Sequence, residues 1–408
     1  HHALGVNYQF FGNLDAARES YQAAIELDPQ LGQSHNNLGI ILGAQGHIEE
    51  ALRHLDTAIR LNPKDFEAIY NRASLTKHTK VDRRLKKLET RFSSKSIGDY
   101  EKTHLGFALG KAYDDIGNYD KASRFYVAAN DSQRALQPYD IEVVLKHYQA
   151  VEKAFQSDPL RQLTLPPRDG VTPIFILGMP RSGSSLLEHI LASHSQVAAG
   201  GEMEALRKSI SGTLPFYDRS AAGASDSELT TIANEYIDHI TAIADGRSRF
   251  VVDKMPSNFE FLGLIHAAMP HSRIIRTDRN PLDTCLSCYQ QKFSSQRQSF
   301  SNDLRDLGRY HLACQALMDF WESMYPDWVI TVSYEDVTSR TESTIRNLLQ
   351  SLGLEFEPSC LEHHLNRDHS VYTASQLQVR DKIHSRSVEK WRNYDKMLAP
   401  LKSQLGLA

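Results

Sequence analysis

The residues from Gly178 to Ser185 read G-M-P-R-S-G-S-S and have the spacing of a phosphate-binding loop. In such a loop, glycines let the backbone curl so that its N–H groups face an anion, and a hydroxyl residue opens the next helix. The usual lysine is absent, because Ser184 takes its place and the nearest cation is Arg181. The pattern therefore predicts an anion site but disfavours a nucleoside triphosphate, whose β- and γ-phosphates that lysine would reach. The alternative is a glycine-rich turn that binds no ligand.

Four apolar segments that read as strands are each followed by a helical pattern, and the first of them leads into this loop. The segments are PIFILG, RFVVDK, RIIRTD and WVITVSYED. The alternation predicts an α/β, P-loop-like parallel sheet with helices on both faces. Because ligands bind beyond the carboxyl ends of such strands, all four junctions are expected to border one site.

The first third of the chain repeats itself. Residues 4–29 align with residues 38–63 at an offset of 34 residues and share Leu-Gly, Ala and Pro positions, and residues 109–130 carry a further unit. A third unit between them is degenerate. The period is typical of tetratricopeptide repeats, so we predict an all-α tetratricopeptide solenoid over residues 1–135. Such an array either recruits an extended peptide or protein, or only braces the domain behind it.

Composition sets the remaining bounds. A linker helix and a Pro-rich linker fill residues 136–170, and the α/β domain is expected at 171–408. The formal net charge of −4 gives no general attraction to nucleic acid, and no apolar run is long enough for a membrane span. Only four cysteines are present, so we expect a reducing, cytoplasmic setting. The chain starts with His1 and lacks an initiator Met, so upstream targeting stays open.

Three segments carry a resemblance to a known family. They are PIFILGMPRSGSSLLEHILASHSQVAAGGEME, VVDKMP and RIIRTDRNPLDTCLSCYQQKF. They resemble the nucleotide-binding segments of sulfotransferases, specifically the bacterial type with an N-terminal tetratricopeptide array, related to protein-tyrosine sulfotransferases. The resemblance covers nearly the whole chain. It implies that 3′-phosphoadenosine 5′-phosphosulfate (PAPS) is the co-substrate and that an acceptor hydroxyl is sulfated. We expect no metal to be needed, because the loop lysine and the triphosphate that make Mg²⁺ useful are both absent.

The resemblance also implies two anion sites for the donor. Arg279 and Ser287 would hold the 3′-phosphate, for which a guanidinium fork is well suited. This chain has Asp278 before that arginine where the family often has another arginine, and Arg276 is a candidate to compensate. The 5′ end would lie on Arg181, Ser182, Gly183, Ser184 and Ser185.

Catalytic roles follow from the same resemblance. Glu202 would be the base, with Glu204 as its near competitor and His194 as the next candidate. Arg181 and Lys254 would stabilise the transferring group and the leaving oxygen. The alternative for Lys254 is a salt bridge with its neighbour Asp253.

The C-terminal segments resemble further nucleotide contacts. Tyr334 is a candidate for adenine contact, and Ser375 would lie near the leaving group. Lys390 either contacts the nucleotide phosphates or is an exposed helix charge, and Arg386 is a weaker candidate.

For three other groups of residues we expect no catalytic or metal-binding role. Cys285 and Cys288 have metal or redox spacing, but they lie in a predicted helix without a second pair, so we expect core residues. His363, His364 and His369 form no motif, and we predict no metal site. Eight basic residues between 77 and 95 are expected to form a solvated helix face, with an acidic partner as the alternative.

Two other functions stay open, namely a tetratricopeptide adaptor with an inactive nucleotide domain and a P-loop kinase. The acceptor also stays open, because a tyrosine, a sugar, a lipid headgroup or a small phenol would each present a hydroxyl to Glu202.

Overall fold

The computed structural model describes residues 1–157, 171–366 and 378–407, apart from 216, 218–220 and 245. Packing of α1 on α2, α3 on α4 and α7 on α8 confirms the predicted helical repeats. Within the described ranges, no helix has the length and apolar composition that crossing a membrane requires. The first nine helices are α1 His2–Phe10, α2 Leu14–Leu27, α3 Gly32–Ala44, α4 Ile48–Leu61, α5 Phe66–Leu75, α6 Arg83–Phe92, α7 Asp99–Ile116, α8 Tyr119–Leu136 and α9 Ile141–Ser157.

Caps and small residues explain why these helices begin and pair where they do. The side chains of Asn13, Asp65 and Asn118 each accept a hydrogen bond from the backbone N–H three residues later. A Cβ atom on Gly39 would lie 2.7 Å from the Leu55 side chain, so only glycine permits this close approach of α3 and α4. The repeat positions therefore mark crossing points of helix pairs.

The third unit departs from the repeat pattern. α5 packs on α7, whereas α6 is a basic helix at the surface. Arg84 pairs with Asp56 at 2.6 Å and Arg91 pairs with Glu101 at 3.1 Å. The other basic side chains of α6 are exposed, which agrees with a solvated helix face.

Within the described residues, five parallel strands form one sheet in the order β2-β3-β1-β4-β5. β1 is central, so the loop that follows it lies in the middle of the carboxyl edge. Its neighbours β3 and β4 bring their own carboxyl ends beside that loop. The strands are β1 Thr172–Gly178, β2 Val197–Ala199, β3 Phe250–Asp253, β4 Arg273–Asp278 and β5 Val329–Ser333.

Helices cover both faces of the sheet, as the strand–helix alternation predicts. Phe175 and Leu177 pack into one hydrophobic core, and Ile174 and Ile176 pack into another on the opposite face. A central parallel strand buried on both sides reads as a continuous apolar run for this reason. The α-helices of this part are α10 Ser184–Leu191, α11 Ala205–Thr213, α12 Asp226–Ala244, α13 Leu262–Ala268, α14 Pro281–Tyr289, α15 Leu304–Met324, α16 Tyr334–Ser339, α17 Thr341–Leu352 and α18 Ala399–Gln404.

The alternation did not predict β2, α11, α12 or α15. β2 spans only three residues and is defined by its pairing with β3, a contact that local sequence does not reveal. In α15, Leu307, Cys314 and Trp321 recur at helical spacing and are all buried. That helix was therefore visible in the pattern.

The repeats and the sheet domain share one hydrophobic core. Phe155 on α9 contacts Trp321 on α15 with ring centroids 5.0 Å apart. Asn130 on α8 is fully buried, and its amide donates to the carbonyls of Tyr126 and Tyr289, each at 2.9 Å. A repeat helix therefore satisfies the C-terminal end of α14, the helix that carries Ser287.

We expect Asn130→Ala to lower the free energy of unfolding by about 1–3 kcal/mol, because the Tyr289 carbonyl would remain buried without its donor. Chemical denaturation measures this change. Asn347→Ala, at an exposed position on α17, is the control and should shift stability by less than about 0.5 kcal/mol. Equal effects of the two variants would show that the Asn130 contact does not join the two parts.

Candidate functional site

The loop between β1 and α10 folds as an anion cradle. Gly178, Arg181 and Gly183 have positive φ values of 131°, 69° and 105°. A Cβ on Gly178 would lie 2.8 Å from the Thr277 carbonyl oxygen, and one on Gly183 would lie 2.7 Å from the Tyr334 ring. The loop thus requires glycine at both positions. Arg181 is a non-glycine residue in the left-handed region, a strain that often marks a functional site.

The loop serines have separate tasks. The Ser182 hydroxyl is buried, donates to the Met179 carbonyl at 2.6 Å and lies 2.6 Å from the Thr277 hydroxyl. It therefore holds the loop in shape. Ser184 and Ser185 form the first turn of α10, where backbone N–H groups have no partner within the helix and favour an anion.

Arg181 and Arg279 lie in one hydrogen-bonded network. Arg181 Nε donates to the Ser287 hydroxyl at 3.0 Å, and Arg279 donates to the Arg181 carbonyl at 2.9 Å. Arg279 also donates to the Ser387 carbonyl at 2.6 Å and lies over the Tyr334 ring at 4.5 Å. The residues predicted for two anion sites are thus direct neighbours.

The Arg279 guanidinium is not fully paired among the described residues. Arg279 Nε is buried and has no hydrogen-bond partner among the described residues. A buried donor of this kind is costly unless something accepts from it. Together with the glycine cradle, it fits a ligand that carries two anionic groups.

Glu202 and Lys254 form an ion pair at 2.6 Å. The Lys254 side chain is fully buried, whereas the Glu202 side chain is 44% exposed, so the carboxylate faces solvent and the ammonium does not. The alternative pairing of Lys254 with Asp253 is wrong. The Asp253 carboxylate instead accepts from the Tyr236 hydroxyl at 3.0 Å and the Met255 amide at 3.1 Å.

A second carboxylate, Glu188, was missed by the sequence analysis. It is 3% exposed, and its Oε1 accepts the Gly201 N–H at 2.9 Å. Burial raises the pKa of the Glu188 carboxyl to about 7, although the Lys254 charge opposes this rise. The available signal was a glutamate among the leucines and isoleucine of the run S-L-L-E-H-I-L, whose helix is largely buried.

The competing bases occupy other surroundings. Glu204 pairs with Arg297 through both oxygens at 2.9 and 3.1 Å. His194 Nε2 donates to the Glu355 carbonyl at 2.9 Å, and its Nδ1 accepts from the Gln196 amide at 3.1 Å. Both ring nitrogens of His194 are therefore bonded away from the loop.

Arg276 does not support Arg279 as predicted. It binds Asp319 at 2.7 Å and Glu322 at 2.9 Å on α15, and also Gln315. These carboxylates and the amide satisfy the guanidinium away from the loop.

The C-terminal candidates divide in the same way. Lys390 pairs with Asp114 of repeat helix α7 at 2.8 Å, and Arg386 pairs with Asp381 at 3.2 Å on the surface. Ser375 lies outside the described residues.

The cysteines Cys285 and Cys288 are buried members of the main hydrophobic core, as predicted. The described part of the chain contains no group of three or more His, Cys, Asp or Glu side chains that could hold a metal ion.

A cavity of about 2490 Å³ lies between the repeats and the sheet domain. Tyr70 and Asn71 line it from the repeats, and Arg181, Glu202 and Arg279 line it from the domain. Pockets for small molecules usually measure about 300–1,000 Å³, so this cavity has room for two small molecules together. A smaller cavity of about 100 Å³ adjoins it behind the same three domain residues.

Among solved structures, the chain is similar to the sulfotransferase domain from the Synechococcus PCC 7002 olefin synthase. The two are 20% identical, the match covers 58% of this chain and 97% of that domain, and the TM-score is 0.39.

Two relatives extend the comparison. An uncharacterized protein of Aquifex aeolicus (strain VF5) is 31% identical over 372 residues, which cover 88% of this chain and 48% of the relative. The chain thus spans about half the length of that relative. Protein-tyrosine sulfotransferase A of Caenorhabditis elegans is 22% identical over 258 residues, which cover 59% of this chain and 68% of that protein.

Family models match both parts of the chain. Tetratricopeptide-repeat models match residues 12–46 and 32–65, and the sulfotransferase family model matches residues 173–358. Residues 173–358 are therefore a domain of the sulfotransferase family, and this domain follows a tetratricopeptide-repeat region in the same chain.

Proposed function

We propose that this protein moves a sulfuryl group from PAPS to an acceptor hydroxyl. The observation that carries the proposal is the ion pair of Glu202 and Lys254, 2.6 Å apart, on the same cavity as the anion cradle. It brings a carboxylate for the acceptor proton and a buried cation for the leaving oxygen next to a loop shaped for an anion.

The donor would lie along the arginine network. The 5′-phosphosulfate would lie on the loop and the first turn of α10, and the 3′-phosphate would accept from Arg279 and Ser287. Arg279 and Ser287 both line the large cavity, which supports this placement. Tyr334 would contact the adenine, and Lys390 would have to leave Asp114 before it could reach a phosphate.

The transfer step balances with these groups alone. The acceptor oxygen attacks sulfur, the bond between sulfur and the 5′-phosphate oxygen breaks, and the acceptor proton passes to Glu202. Arg181 and Lys254 stabilise the charge on the departing phosphate. The products are a sulfate ester and adenosine 3′,5′-bisphosphate. Since Lys254 binds Glu202 before the donor arrives, donor anions would draw the ammonium away and leave the carboxylate free.

Both alternative functions lack support from these residues. A P-loop kinase needs the lysine that Ser184 replaces. An inactive adaptor would have no use for Lys254, a fully buried cation paired with a half-exposed carboxylate at the cavity.

Arg279→Ala should weaken adenosine 3′,5′-bisphosphate by about 10-fold to 100-fold, the scale of one lost charged hydrogen bond, and should weaken AMP much less. The reason is that only the bisphosphate fills the second anion site. Calorimetric titration of both ligands measures the difference. Arg276→Ala, which removes a guanidinium bound to α15, is the matched control and should leave both affinities unchanged. Equal losses of bisphosphate and AMP in Arg279→Ala would contradict the placement.

Glu202→Gln should lower the single-turnover rate by roughly 10²-fold or more, the scale of general-base loss, while donor affinity stays nearly intact. The amide retains an oxygen for Lys254 but cannot accept the acceptor proton. Glu204→Gln is the control, because its carboxylate binds Arg297. A dead Glu204 variant beside an active Glu202 variant would transfer the role of base to Glu204.

We also propose that the acceptor enters along the repeat wall of the large cavity, which suits a peptide. Ser74→Trp, on that wall, should then slow transfer to a tyrosine-containing peptide about tenfold by filling space, with little effect on a small phenol. Steady-state rates on both acceptors test this, with the exposed position Ser351→Trp as control. Equal effects on the peptide and the phenol would refute the entry route.

A further inference from the structure

Glu188 lies beneath the turn that presents Glu202. Gly200 donates to the Val252 carbonyl at 2.8 Å, and Lys254 donates its backbone N–H to the Gly201 carbonyl at 2.9 Å. These bonds fix the turn to the end of β3. The third bond comes from another element, because Glu188 on α10 accepts the Gly201 N–H at 2.9 Å. α10 also carries the anion loop at its start, so this one carboxylate joins the loop to the turn.

The charges around Glu188 are unbalanced. Lys254 is fully buried and its ammonium is bonded to Glu202, while Glu188 feels both the Lys254 and the Glu202 charge. Asp253 also faces it, and burial raises the pKa of that carboxyl to about 7 as well. Two ionised glutamates would leave one excess negative charge around a single lysine.

We propose that Glu188 is a positioning residue: its carboxyl group holds the Gly201 turn beneath Glu202, and it takes up a proton when the donor draws Lys254 away. The sequence motifs assign Glu188 no role. In the proposed placement, Glu188 touches neither the donor nor the acceptor. This inference rests on the proposed function.

Donor binding should then change the protonation of Glu188. Burial raises the pKa of this carboxyl to about 7, and the Lys254 charge is what opposes a further rise. When donor phosphates engage Lys254, that compensation weakens, so the pKa of Glu188 should rise and the carboxyl should take up a proton. At a pH equal to the unbound pKa, the uptake can reach about half a proton per ligand.

Titration of the full-length protein with adenosine 3′,5′-bisphosphate, in buffers of different ionisation enthalpy near pH 7, measures this uptake without an acceptor. Wild type should take up more protons than Glu188→Gln, whose amide still accepts from Gly201 but cannot ionise. The difference in proton uptake between wild type and Glu188→Gln also cancels any protonation change of the ligand itself. Glu188→Gln should fold normally, and its melting temperature should rise relative to wild type as the pH increases from the ordinary pKa of 4.5 toward about 7, because the amide needs no proton to stay neutral in the interior.

Glu260→Gln is the matched control. Glu260 is 8% exposed and lines the same cavity, and it is bonded to Arg207. Burial opposes its ionisation, but His147 and Arg207 hold the pKa of Glu260 below its ordinary value, so it should stay ionised throughout. The Glu260→Gln variant should therefore keep the proton uptake of wild type.

The turn-holding role has its own readout. Glu188→Ala removes the acceptor for the Gly201 N–H and should lower kcat about tenfold or more with little change in donor KM, whereas Glu188→Gln should restore most of that rate. Equal proton uptake in wild type and Glu188→Gln, or no rescue by Gln, would overturn the proposal. Failure of wild type to bind the bisphosphate would instead overturn the proposed function.

Discussion

The site depends on one buried positive charge, the ammonium of Lys254. An isolated ammonium is costly in a protein interior, and removal of one partner from a buried ion pair typically costs about 3–5 kcal/mol. Its ion-pair partner Glu202 follows β2, and Glu188 on α10 lies close enough for the lysine charge to oppose the rise in the pKa of its carboxyl. The lysine is therefore tolerable only when the loop helix, the edge strand and β3 are assembled.

The parallel sheet explains why these elements meet. β1 and β3 are paired in register from Thr172 with Phe250 to Phe175 with Asp253, so their carboxyl ends emerge side by side. The anion loop follows one strand, and Lys254 follows the other. β2 pairs with β3 and delivers the Gly200–Gly201 turn to the same edge. The charge at the site thus follows from strand order and needs no long-range loop.

Features that depend on local spacing could be predicted from the sequence. The loop, the strand–helix order and the repeat units follow from glycine spacing, apolar runs and a fixed period, and the structure confirms them. Glu202 and Lys254 could be named because each lies in a segment that resembles those of sulfotransferases. Their mutual contact could not be predicted, because Asp253 is next to the lysine in the sequence whereas Glu202 is 52 residues away.

Contacts between distant segments account for what was missed. The role of Glu188 depends on its hydrogen bond with Gly201, a residue that only the folded chain brings next to α10. Arg276 lies on β4 near the candidate site residues, but it forms ion pairs with acidic residues of α15. The sequence suggests that Lys390 is either a surface charge or a phosphate ligand. In the structure it pairs with Asp114, which lies 276 residues earlier in the chain.

That last pair bears on why the repeats and the domain form one body. Asp283 on α14 accepts the backbone N–H groups of Glu389 and Trp391, so the helix that carries Ser287 also holds the C-terminal segment. Arg279 donates to the Ser387 carbonyl of the same segment at 2.6 Å, and Lys390 pairs with Asp114 on a repeat helix. A guanidinium that donates to the Ser387 carbonyl has fewer N–H groups to offer a phosphate, since its donors are fixed in number and direction. In the proposed placement, a 3′-phosphate would compete with the Ser387 carbonyl for Arg279, and Lys390 links the same C-terminal segment to a repeat helix.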